Sequence, residues 1–114
     1  MAKASEISIK IATNENNVPQ TIHWSAEDGG VDNAEAKSLM LALWDKKEQN
    51  AMRIDLWTEE MGIDEMKQFF HQTLLTMADS FERATGEKNI TDDLRDYCHH
   101  FADKMGIISP FKSN

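Results

Sequence analysis

Apolar residues recur along this chain with two different periods, and the places where one period gives way to the other set the order of its elements. From Glu6 to Thr13, Ile7, Ile9 and Ile11 alternate with Ser8, Lys10 and Ala12, a period of two that marks a strand with one apolar face. Asn14-Glu-Asn-Asn17 supplies turn formers, and Pro19 opens a second strand, where a missing N–H is tolerated. Ile22 and Trp24 share one face of that strand, with Thr21, His23 and Ser25 on the other, so the pair predicts an antiparallel hairpin. The alternation returns in a third strand, with Met52, Ile54 and Leu56 against Arg53, Asp55 and Trp57.

Elsewhere the spacing reads as helical. Glu27-Asp-Gly-Gly30 breaks the strand pattern, and Asp32 with Glu35 has the spacing of a capping box. A first helix is expected from there to about Lys47, with Ala36, Leu39, Met40, Leu43 and Trp44 on one stripe and Leu41 off it. A second runs from near Gly62 to Thr85 and stops at Gly86. Its stripe is Met66, Phe69, Phe70, Thr73, Leu74, Met77 and Phe81, with Leu75 on the far side. Thr91 is expected to cap a third helix carrying Leu94, Tyr97, Cys98, Phe101, Ala102 and Met105 on one face up to Gly106.

The expected order is therefore β-β-α-β-α-α. It describes one two-layer α+β domain, a three-stranded antiparallel sheet with three helices on its apolar face. A crossover of the first helix over strand one gives the spatial order 2-1-3, and 1-2-3 is also compatible. The domain takes up all of 1–114, with short flexible ends at about 1–4 and 108–114. The apolar tail Ile107-Ile108-Ser-Pro-Phe111 would pack on its own domain or on a neighbour.

Charge narrows the partners. Twelve Lys and Arg stand against twenty Asp and Glu, a net charge of −8. The longest basic run, Lys46-Lys47, is flanked by Asp45 and Glu48. Phosphate binders draw affinity from a basic stripe, so nucleic acid and anionic membranes are disfavoured partners. No apolar run reaches the roughly 18–20 residues of a membrane span. The first residues, Met1-Ala-Lys-Ala-Ser-Glu, have no apolar signal core, and Cys98 is the one cysteine. The expected location is the cytoplasm, without direct membrane insertion.

Candidate chemistry is sparse. Cys98-His99-His100 invites a metal reading, but successive helical residues point about 100° apart, so the three do not converge. Cys98 belongs to an apolar stripe, and His99 and His100 fall among acidic residues. His71 has Lys67 and Leu75 at the chelating offsets. The carboxylates at Glu59-Glu60, Asp64-Glu65 and Asp92-Asp93 sit at helix starts, where the dipole favours them. No nucleophile elbow, phosphate loop or zinc spacing is present, and no catalytic residue, cofactor or metal is expected.

Binding is better supplied. With Ile54 and Leu56 turned inward, Arg53, Asp55 and Trp57 face outward, with His23 expected nearby; Trp and Arg are enriched at interface hot spots. The alternative for Trp57 is a strand-end side chain folded under the following loop. Strands two and three are expected to be sheet edges, open to a partner strand or a second copy.

Three segments carry a family resemblance: L-W-D-K-K-E from Leu43, M-R-I-D-L-W-T from Met52, and E-M-K-Q-F-F-H-Q-T-L-L-T-M-A-D from Glu65. With D-D-L-R-D-Y-C-H-H-F-A and the hairpin ending Ile22-His-Trp24, the chain resembles the gliding-motility-associated GldC family of the Bacteroidota. The resemblance implies a small soluble accessory protein, an adaptor or chaperone-like binder of partner proteins in the gliding machinery, and brings no catalytic set. Two other readings remain beside it: a structural homo-oligomer joined at its edge strands, and a metal-dependent enzyme or sensor using His71, Cys98, His99 and His100.

Overall fold

The computed structural model describes residues 3–107, so the apolar tail from Ile108 onward lies outside the described residues. The order is five strands followed by two helices: β1 (Ile7–Thr13), β2 (Pro19–Ala26), β3 (Val31–Ala36), β4 (Ser38–Trp44), β5 (Ala51–Trp57), α1 (Ile63–Thr85) and α2 (Lys88–Met105). The α+β class and the antiparallel pairing hold. The three-stranded sheet with three helices does not. The chain divides between Met61 and Gly62 into two compact units.

The first unit is all strand. β1, β2 and β3 form one antiparallel sheet in that order, and β4 pairs with β5 in a second. β2 is therefore central rather than an edge, and neither the 2-1-3 nor the 1-2-3 arrangement of the three expected strands is formed. Ile9 lies opposite Trp24 and Ile11 opposite Ile22, while Ile22 and Trp24 face Ala36 and Ala34. These residues make one apolar face, on which Ile22 is 1% exposed.

The main correction falls on residues 31–47, expected as a helix. Val31–Ala36 pairs with β2, and Ser38–Trp44 pairs with β5 in an unbroken register from Ser38↔Trp57 to Trp44↔Ala51. Leu39, Leu41 and Leu43 face Leu56, Ile54 and Met52, so Leu41 is in phase with a strand although it is off the helical stripe. Ala, Leu, Met and Lys are strong helix formers; here pairing with a distant strand overrides local propensity. Asp32 and Glu35 lie within β3 and form no capping box. The β4–β5 hairpin is closed by Asp45, whose carboxylate accepts from the Lys47 and Glu48 N–H groups. Gln49 turns the chain there at φ 56°.

The second unit is a helical hairpin. Gly86 and Gly106 end α1 and α2 at φ 72° and 69°, the left-handed conformation that suits glycine. α2 starts at Lys88, three residues before the expected cap. Thr91 is inside the helix, fully buried, and its hydroxyl donates to the Glu87 carbonyl at 2.6 Å.

The two helices meet along small residues. Ala78, Cys98 and Ala102 are fully buried, and His71, 1% exposed, stacks on Phe101 with ring centroids 6.3 Å apart. Small side chains let the helices approach closely, and the expected stripe flanks this seam. Met66, Phe69, Thr73 and Leu74 are half-buried while Phe70, Met77 and Phe81 stay exposed. Leu75, half-buried, is in line with His71 and Ala78. Arg95 ties the far end, donating to Asp79 at 2.8 Å and Glu82 at 3.0 Å. These two hydrogen bonds hold its guanidinium further above its already high ordinary pKa.

Candidate functional site

The site begins with the pleat of β5. Alternation puts Met52, Ile54 and Leu56 on one face and Arg53, Asp55 and Trp57 on the other. Across the ladder the second set meets Ala42, Met40 and Ser38. Arg53 Nη2 donates to Asp55 Oδ1 at 2.8 Å, joining two exposed side chains on neighbouring same-face positions. Trp57 is 56% exposed. The side chain folded under at this strand end belongs to Thr58, which is 3% exposed and bonds the Lys37 carbonyl through its N–H and its hydroxyl.

His23 stands apart from these three. It lies on β2 in the other sheet, opposite Lys10 and Glu35, with Nε2 3.6 Å from Glu35 Oε2. It belongs to the polar face of β1–β3, and Arg53, Asp55 and Trp57 belong to the β4–β5 hairpin.

A fourth residue, missed by the helical reading, joins the hairpin face. Trp44 is 71% exposed and pairs with Ala51 on the side that carries Arg53. Two tryptophans thus bracket an Arg–Asp pair. The signal was available: with residues 38–44 read at period two, Trp44 takes the phase of Met40 and Ala42. The reverse face of the hairpin is apolar, with Leu43, Met52 and Ile54 all more than half exposed.

The residues considered for a metal are dispersed. His71 and Cys98 are buried in the α1–α2 seam, His99 is half-buried and His100 is exposed beside Tyr97. Burial pushes the Cys98 thiol pKa up, away from the thiolate a metal or an electrophile requires. Among the described residues no group of three His, Cys, Asp or Glu is placed to hold a metal ion. No helix among them is long and apolar enough to cross a membrane.

The architecture is that of a small α+β protein in which an antiparallel strand unit precedes a helical hairpin, with an aromatic and charged face on its last strand pair. The model of the family described as gliding motility-associated protein GldC-like matches residues 19–107, and the chain belongs to the GldC-like family. The match takes in β2 through α2, including the whole candidate face. No curated protein and no solved structure matches the chain.

Proposed function

We propose that the chain is an accessory protein of the gliding machinery that works in the cytoplasm by binding another protein, as an adaptor or in a chaperone-like way, without catalysis. The observation that carries this reading is the β4–β5 face, where exposed Trp57 and Trp44 flank the Arg53–Asp55 pair in a member of the GldC-like family. Tryptophan offers a large rigid contact area, and an exposed Arg–carboxylate pair can exchange its internal bond for one across an interface. His23, on its separate polar sheet face, is a secondary contact at most.

The test is a crosslinked pull-down from lysate of the native organism, with soluble and membrane fractions kept apart. Wild type is expected to capture gliding or envelope-export components. Trp57→Ala is expected to lose them at least about tenfold, the scale of a single hot-spot truncation, with its melting temperature nearly unchanged. Capture that survives Trp57→Ala would remove this face from the reading, and capture of no such component would remove the accessory role.

A further inference from the structure

The outer edge of β5 has the geometry and the charge pattern to pair with itself. In the β4–β5 ladder the Asp45 N–H donates to the Asn50 carbonyl at 2.9 Å and the Thr58 N–H to the Lys37 carbonyl at 2.8 Å. Hydrogen-bonded and non-bonded pairs alternate along an antiparallel ladder. The bonded pairs between these two ends are therefore Leu43/Met52, Leu41/Ile54 and Leu39/Leu56. The N–H and C=O groups of Ala51, Arg53, Asp55 and Trp57 point the other way, to an edge on which no described strand lies.

We infer that this edge pairs antiparallel with β5 of a second copy of the chain, about a two-fold axis through Ile54, so that Arg53 of each copy lies opposite Asp55 of the other. Ile54 is the midpoint of Ala51–Trp57, so this register uses the full strand. It places all the outward backbone groups in bonded pairs: Arg53 with Asp55, Ala51 with Trp57, and the converse. Opposite charges face each other on one side of the new four-stranded sheet. On the other side Ile54 meets Ile54 and Met52 meets Leu56, covering side chains that stand exposed in one copy. Shifting the axis by one residue sets Arg53 against Arg53 or Asp55 against Asp55, and like charges directly opposite are destabilising.

Among the other edges, that of β1 is as long as β5 and is guarded against the same pairing. The Glu27 N–H donates to the Glu6 carbonyl, so β1 also turns the backbone groups of alternate residues outward. Its full-length self-pairing is centred on Lys10 and would set Lys10 against Lys10 at the closest cross-strand spacing. Lysine on an edge is a common guard against such pairing; β5 in place of that guard carries a matched pair.

This pairing does not depend on the accessory role. It would double the Trp57 face into one continuous sheet surface, and sedimentation velocity of the full chain with disulfide trapping tests it. The expected result is a dimer that Arg53→Glu weakens by about tenfold, from two like-charge contacts. Exchanging the charges, Arg53→Asp with Asp55→Arg, restores it at unchanged net charge. Ile54→Cys should form an intermolecular disulfide under mild oxidation, because a non-bonded pair spaces Cα atoms at about 4.5 Å, within disulfide reach. Met52→Cys should not, since the two thiols would stand roughly 13 Å apart along the strands. A chain that stays monomeric at about 100 μM, well above a micromolar Kd, would overturn the inference, as would a dimer unaffected by Arg53→Glu or a Met52→Cys disulfide as fast as that of Ile54→Cys. A monomer that still captures gliding components through Trp57 would leave the accessory reading standing, and a dimer that captures none would do the reverse.

Discussion

Cys98 shows how a single position can look reactive in sequence and be inert in the fold. Next to two histidines it has the composition of a ligand, yet it is fully buried against the helix seam, and burial pushes its thiol pKa up. The ring beside this seam is that of His71, held flat against Phe101. Alkylating reagents at neutral pH are therefore expected to label Cys98 only in denaturant, with native labelling at least about a hundredfold slower, since an opening costing a few kcal/mol must come first. A pH dependence follows with a definite sign. In the unfolded chain the thiol loses its proton at about pH 8.5, whereas the folded chain keeps it to higher pH. The unfolded state then binds fewer protons, so Cys98 contributes stability that is complete below about pH 8.5 and falls as pH rises beyond it. Chemical denaturation at pH 7 and pH 10 should show a smaller loss for Cys98→Ser than for wild type. Equal losses, or rapid native labelling, would show the thiol to be more accessible than its burial states.

The strand β4, formed where local spacing favours a helix, can be tested directly by proline substitution. In β4 the Leu41 N–H points to β5 and the Ala42 N–H points away from it, following the bonded pairing of Leu41 with Ile54. Leu41→Pro removes a ladder bond and should cost about 1–3 kcal/mol, the scale of a backbone group left unpaired, whereas Ala42→Pro should cost much less, because proline is tolerated on a free edge. In a helix the two substitutions would be equally damaging, so similar denaturation midpoints would contradict the strand. What was legible in the sequence follows the same division. β1, β2, β5 and α1 announce themselves through local signals: strict alternation, Pro19, and a glycine after Thr85. The segment 38–44 carries Leu39, Met40, Leu43 and Trp44 on a helical stripe and Leu39, Leu41 and Leu43 on a strand face, and nothing local separates the two. What decides is β5, and a partner strand is not visible in a window of residues. The candidate site divides likewise. Arg53, Asp55 and Trp57 share a face by alternation alone, but Trp44 joins them only through the ladder, and the separation of His23 depends on which strands pair.

At the scale of the whole molecule the net charge of −8 acts on every association the chain makes, including pairing through β5. Two copies with charge centres on the order of 30 Å apart repel each other by about 3 kcal/mol at 0.01 M salt, where the Debye length is also about 30 Å. At about 0.15 M the Debye length falls to about 8 Å and most of this repulsion disappears. The Arg53–Asp55 contacts between copies respond differently: side chains within hydrogen-bond reach are closer than the Debye length at either concentration. Each exposed pair is worth only about 0.2–1 kcal/mol, so its weakening in salt is the smaller effect. The dimer is therefore expected to tighten, by tenfold or more, as salt rises from about 0.01 M to 0.15 M, and sedimentation at the two concentrations measures this directly. The charge-exchanged variant, with the same net charge, should follow the same curve. A dimer that weakened over this range would be held mainly by ion pairs, and the backbone ladder and the Met52–Ile54–Leu56 strip could not then be its main support.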